Sequence, residues 1–453
     1  MTRTLPHSFA ALCAARLVLG ADHASAAPPE LLSQLALHPT DPGWMALAYV
    51  QGGQGLLFSS DGGRSFALRC GAAVSPSFTR SRSPLAMTVD GALLLGTFDG
   101  LVQGGADGCG FAGDADVGLA GVQIADFAPH PSDPAISFIA TANPSAGART
   151  GIVRREADGS LFALGANDTD SESALAMTRL AVAALPDGRL RFVATALATD
   201  AAGEVRPILR YSDDEAATWQ RHDVPGAEGA RVLLLGVDPT DPERMAIALS
   251  RADANDEVLV TEDAGRSFAT VLELFEVGAA AVAPDGRLWV GDAGGDAEYS
   301  QPGGLYRFEG FGAAPQKLAT YPVRCLGYRA LDGSLFGCQR STFGSIQPES
   351  GVFSVSAGLS TVASFVACGA EALAPVCKAQ LCDNWCGVLH YASAPVCDAY
   401  AEDNPLCGPA ARGYAQASPS AGDSSAAVAS DGATTGAAGA AEAGQVACRL
   451  EPG

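Results

Sequence analysis

The sequence predicts an all-β fold: a seven-bladed β-propeller, then a small disulfide-rich C-terminal module and a disordered tail. Three observations carry the expectation. An aspartate turn recurs at Asp41, Asp90, Asp133, Asp187, Asp241, Asp285 and Asp332, at steps of 43 to 54 residues. Short apolar runs flank each turn. After Ser364 the composition changes, first to dense cysteine and then to Ala, Gly, Ser and Thr. A period in the forties marks a repeat architecture.

The chain opens on Arg3 and His7, an apolar run around Phe9–Leu19, and Ala24-Ser25-Ala26. This order of basic, apolar and small-residue segments reads as a signal peptide over residues 1–26. The protein is expected to be secreted, periplasmic or at the cell surface. Cys13 follows Leu12, where a lipid-anchor motif wants a small residue, so no lipoprotein is expected. No later stretch is apolar over the length a bilayer requires, so no transmembrane segment is expected.

Residues 28–366 are expected to form the propeller. The turns are Asp-Pro at 41, 133 and 241, and Asp-Gly at 90, 187, 285 and 332. Before them lie runs such as Leu31–His38, Pro84–Val89 and Val232–Val237. After them lie Trp44–Val50, Ala92–Phe98 and Met245–Leu249. These Val, Ile, Leu and Ala runs suit inner strands buried on both faces. A third run follows each pair, and the seventh unit ends near Phe365. One four-stranded sheet cannot bury both faces alone, and ring closure packs each blade against two neighbours.

Residues 367–409 form the expected cysteine-rich module. Cys368, Cys377, Cys382, Cys386, Cys397 and Cys407 fall within it, and so small a module cannot hold itself with an apolar core. Six cysteines leave the pairing open. Two further pairs are candidates in the propeller: Cys70 with Cys109, and Cys325 with Cys338, which flank Asp332-Gly333 almost symmetrically. Residues 410–453 have too few large apolar side chains to fold. Cys448 near the end is left over.

With 28 basic and 50 acidic residues the formal net charge is −22. Phosphate contacts need clustered Lys and Arg, so no nucleic-acid partner is expected. The six histidines form no metal-ligand spacing. His38 and His130 each precede a Pro-x-Asp-Pro turn and read as repeat positions.

Ser59-Ser60-Asp61-Gly62-Gly63-Arg64-Ser65-Phe66 resembles the Asp box, or BNR repeat, S/T-x-D-x-G-x-T/S-W/F. A second copy runs from Thr261 through Asp263 and Gly265 to Phe268. A degenerate third runs from Ser212 through Asp214 to Trp219, with Ala216 in the glycine place. The clean copies keep phase with their Asp-Pro turns. The resemblance, to the sialidase and sortilin-like propeller superfamily of exported bacterial type, implies that each box is the hairpin between third and fourth strands of a blade. Ser and Asp accept backbone N–H bonds there, Gly supplies the backbone shape, and the aromatic tucks between sheets. Ser59, Asp61, Gly63, Phe66, Ser212, Asp214, Trp219, Thr261, Asp263, Gly265 and Phe268 are therefore read as structural.

Sialidases of this superfamily clamp a carboxylate with three arginines, the first in an early R-I-P motif. This chain has no R-I-P, and between residue 26 and Asp61 it has no arginine. No catalytic residue is assigned. The expected function is an exported, non-enzymatic binding or scaffold protein that uses a propeller face. The alternative is a glycoside hydrolase, which would need two carboxylates flanking one bond. The loops between second and third strands are long and acidic in later blades. Asp253, Asp256, Asp292, Asp296, Glu298 and Tyr299 are the candidate binding residues, for a protein, peptide or glycan ligand. No cofactor is required. Asp292, Asp296 and Glu298 lie close enough in one loop to share a Ca²⁺.

Overall fold

A computed structural model of the chain describes residues 35–365, apart from 50–54, 65, 71–73, 76–82, 98–99, 106–107, 114–118, 143–150, 166–174, 200–203, 295–302, 339–341, 347–352 and 359–361. All of these belong to the compact unit Met1–Ala415. The expected signal peptide, cysteine-rich module and tail lie outside the described residues. So does the second unit, Gln416–Gly453.

Strands β1 (Leu35–Leu37), β2 (Met45–Tyr49), β3 (Gly55–Ser59) and β4 (Phe66–Cys70) make an antiparallel meander. The same meander repeats as β5 (Leu85–Met87) to β8 (Ala112–Gly113), and as β9 (Ile124–Pro129), β10 (Ser137–Thr141), β11 (Ile152–Arg155) and β12 (Leu161–Leu164). Next come β13 (Leu175–Ala184), β14 (Leu190–Thr199), β15 (Val205–Ser212) and β16 (Gln220–Asp223). The fifth sheet is β17 (Arg231–Val237), β18 (Met245–Ser250), β19 (Asp256–Thr261) and β20 (Ala269–Leu274). The last two run from β21 (Val277–Val282) and β22 (Leu288–Asp292) to β24 (Gln316–Ala319), and from β25 (Cys325–Arg329) and β26 (Ser334–Cys338) to β28 (Phe353–Gly358). The first strand of each sheet touches the first strands of both neighbours, and β25 returns to β1, so the sheets close into a β-propeller.

The expectation of a seven-bladed β-propeller is corrected. Among the described residues the four-stranded blades number six, and the opening sheet is of another kind. It has five strands, because β29 (Val362–Phe365) pairs in parallel with β4. An Asp turn marks only the first hairpin of a sheet. It carries no information on what pairs at the outer edge, so the sequence reading ends the seventh unit near Phe365.

The inner strands are buried as their composition demands. Every residue of β6 (Leu93–Thr97) and β22 is buried, whereas β16 at the outer edge is mostly exposed. The apolar core is not one mass. It is a series of clusters, each filling the joint between two adjacent sheets. At the joint of the third and fourth sheets the Phe138 and Phe192 rings meet edge to face at 4.9 Å. Such a pair contributes about 0.5–1.5 kcal/mol beyond its area. Cys325 and Cys338 face each other across β25 and β26 with Cα atoms 5.0 Å apart and form a disulfide, as the sequence expects.

Candidate functional site

The meander sorts its connections to two ends of the ring. First–second and third–fourth turns share one end. Second–third loops and the links to the next sheet share the other.

The first end is built for rigidity. Ser59 Oγ accepts the Gly63 N–H at 2.8 Å, and Asp61 Oδ1 accepts the Arg64 N–H at 3.0 Å. Thr261 Oγ1 accepts the Gly265 N–H at 2.8 Å, while Asp263 takes the Ser267 N–H and hydroxyl at 2.8 and 2.7 Å. In the degenerate copy Ser212 Oγ accepts the Ala216 N–H at 3.0 Å, and Asp214 takes the N–H and hydroxyl of Thr218. Ala216 adopts φ 64°, a shape that glycine enters without strain. Phe66 is buried, Trp219 stacks under Arg210 at 4.1 Å, and Phe268 packs on the core between the fourth and fifth sheets. The hairpins are also laced to the Asp-Pro turns: Gly62 N–H donates to Gly43 O and Ala264 N–H to Glu243 O. This contact explains why the two motifs keep phase. Within the turns, His38 Nδ1 accepts the Thr40 and Asp41 N–H groups, and His130 Nδ1 accepts those of Ser132 and Asp133.

A central cavity of about 350 Å³ is walled by the innermost strands. Among the described residues two charged side chains line it, Asp126 on β9 and Arg179 on β13. Asp126 Oδ2 accepts the Leu180 N–H at 3.0 Å, and Oδ1 lies 3.4 Å from Arg179 Nη1. Burial pushes the Asp126 carboxyl up from its usual value, against the opposing pull of Arg179 and the Leu180 N–H. A β-bulge between Met177 and Arg179 leaves Thr178 outside the pairing. Its hydroxyl bonds Thr195 Oγ1 and O at 2.9 and 3.1 Å. Bulges re-aim side chains, and here the offset presents Arg179 to the channel.

The sequence-predicted binding residues are placed as follows. Asp253 lies in the turn between β18 and β19. Asp256 and Asp292 are buried and engaged with backbone. Asp256 Oδ2 accepts the Val277 N–H at 2.7 Å, and Asp292 Oδ1 accepts the Gly294 N–H at 2.9 Å and the Glu276 N–H at 3.3 Å. Both therefore brace the link from the fifth sheet to the sixth. Burial raises the Asp256 carboxyl, with the Val277 N–H, Ser250 and Arg231 opposing. Burial likewise lowers Arg231, against the charges of Asp256 and Glu276. Asp296, Glu298 and Tyr299 lie outside the described residues, as do Cys368, Cys377, Cys382, Cys386, Cys397 and Cys407. Cys109 is disulfide-bonded, and the Cys70 side chain lies outside the description. Among the described residues no group of three or more His, Cys, Asp or Glu side chains gathers to hold a metal. No helix among them is long and apolar enough to cross a membrane.

Sequence reasoning missed Asp126 and Arg179. The signal was present: each is a lone charge inside an apolar inner-strand run, Ile124–Pro129 and Leu175–Ala184.

No protein-family model matches the chain, and no curated protein matches it. Solved structures resemble it. The extracellular domain of BT4673 from B. thetaiotaomicron is 11% identical with a TM-score of 0.41, covering 70% of this chain and 39% of its own. The chain thus spans about two fifths of that neighbour. YCF48 bound to a D1 peptide is 14% identical with a TM-score of 0.43, covering 68% of this chain and 89% of its own. Saccharomyces cerevisiae Sqt1 is 13% identical with a TM-score of 0.41, covering 71% and 84%.

Proposed function

We propose that the chain is an exported, non-enzymatic binding or scaffold protein that uses a propeller face, with a ligand site at the central cavity. The polar equipment of that cavity supports the reading. Asp126 is the one carboxylate among the described lining residues, and it is already committed to Leu180 and Arg179. A glycoside hydrolase needs two carboxylates across one bond, with one of them free to move a proton. A pre-formed cavity with few charged side chains suits ligand capture.

We propose further that the ring is an Asp-box propeller, on the strength of three hairpins with one shared hydrogen-bond scheme. Export is favoured by the Cys325–Cys338 disulfide, since such bonds persist in oxidising compartments. The proposed layout keeps residues 1–26 as signal peptide, 367–409 as cysteine-rich module and 410–453 as tail. Asp253, Asp296, Glu298 and Tyr299 are the proposed rim contacts to a protein, peptide or glycan, with Ca²⁺ as an optional organiser beside Asp292. Asp256 and Asp292 act by holding that rim.

A melting-temperature screen of the oxidised chain against Ca²⁺, glycans and basic peptides tests this, because a ligand of the folded state raises the midpoint once it exceeds its Kd. A rise with the ligand recovered intact supports binding. Cleavage of a glycan in the same mixture, read by mass spectrometry, would sink the non-enzymatic reading.

A further inference from the structure

We propose that the central cavity binds a carboxylate, with Arg179 as its anchor. This rests on the binding reading above and names its ligand class. The cavity, about 350 Å³, is at the small end of ligand pockets, which span about 300–1,000 Å³. It suits a small molecule or the last residue or two of a peptide, not a folded domain. Leu35, Leu85, Leu180, Leu234, Val277 and Leu326 line it from six strands, but Leu85, Leu234 and Val277 also pack in the joints between sheets, and the lining is of mixed polarity.

Arg179 and Asp126 are the charged side chains of that lining among the described residues. The Arg179 guanidinium carries five N–H donors. Its one side-chain partner among the described residues is Asp126, reached by Nη1 alone at 3.4 Å, and the side chain is 25% exposed. That is long for a charge-assisted bond. The chain itself shows what a filled guanidinium looks like. Arg191 holds Asp213 through Nε and Nη2 at 2.6 and 2.8 Å and, at the same time, Glu243 through Nη1 at 2.7 Å. Arg179 has the Nη1 seat taken and the Nε/Nη2 edge open. Asp126 cannot swing round to fill it, because its Oδ2 is tied to the Leu180 N–H. The Thr178 bulge fixes the strand on which Arg179 stands. A ligand carboxylate completes the second seat with two parallel bonds.

The test is isothermal titration of the oxidised full-length chain with four probes: octanoate, octanol, a leucine-terminated tetrapeptide acid and its amide. The acids should bind at least about tenfold more tightly than the alcohol and the amide, the scale of one or more hydrogen bonds to a charged group. Octanoate alone would identify a free organic acid as the source, and the peptide acid alone would identify a chain terminus. Arg179→Gln should weaken the acids about 10- to 100-fold. Arg179→Lys keeps the charge without the fork, so it should weaken them as well. Asp126→Asn keeps an acceptor for Leu180 and stops sharing the guanidinium, so it should tighten acid binding, where a purely structural role for Asp126 predicts loss. Equal binding of acid and neutral forms, or acids undiminished by Arg179→Gln, overturns the carboxylate class and leaves the cavity a binding site. Silence from all four probes overturns the cavity as a ligand site. The outer rim is then judged by the Ca²⁺, glycan and basic-peptide screen alone.

Discussion

Asp263 stands near the surface, yet its carboxyl is held down at about 2. The Ser267 hydroxyl is the main cause, followed by the Ser267 N–H. A folded value below the ordinary 3.8 stabilises the ionised form, so this contribution is present above pH 3.8 and is lost as pH falls toward about 2. Asp263→Asn should therefore flatten the acid limb of a melting-temperature profile between those values. An unchanged limb would show that the turn does not hold the carboxylate. Gly265 two residues on has φ 90°, and a Cβ there would meet Leu209 Cδ2 at 2.7 Å. Gly265→Ala should destabilise the fold by about 1–2 kcal/mol for the left-handed backbone alone, read from urea midpoints. The third hairpin accepts Ala216 in the same shape, where the methyl is buried in the joint between the third and fourth sheets. Packing there offsets strain, which is why a box lacking its glycine still folds.

At the scale of an element, two arginines that lace joints between sheets were hard to find in the sequence. Arg191, in β14, looks like any charge after an Asp-Gly turn. In the fold it is buried, stacks on Tyr211 at 4.6 Å, holds Asp213 and Glu243, and reaches the Pro242 carbonyl in the next sheet. Arg329 repeats the arrangement, gripping Asp332 and bonding Pro42 O across the closing joint. Arg191→Leu should cost about 2–3 kcal/mol, since charged hydrogen bonds are lost across the joint, and a denaturant series would measure it. Strand positions and turn chemistry were legible because each follows from local residue order. Arg179 was legible as a lone charge in an apolar run but not in its aim, because the Thr178 bulge breaks the alternation by which a reader assigns faces. Asp256 and Asp292 read as loop acids, since nothing in their spacing announces the Val277, Glu276 and Gly294 N–H groups they serve.

For the whole molecule, the repeat was plain in the sequence and the outer edge was not. Parallel pairing between β29 and β4 joins Val362 to Phe66 and Phe365 to Leu68, some 300 residues apart, and no local pattern encodes it. It covers an edge that would otherwise offer unpaired N–H and C=O groups. Ser364→Pro, which removes a strand donor, should lower the melting temperature and produce concentration-dependent self-association by light scattering. A monomer melting as before would show that β29 contributes nothing to closure. The division of the core among joints has a further consequence. In an open stack of such layers the terminal sheets would fray first. With β25 against β1, Arg329 on Pro42 and β29 across β4, no sheet is terminal. Amide exchange at the innermost strands should then proceed only through opening of the entire ring, with one common protection free energy from β1 to β25.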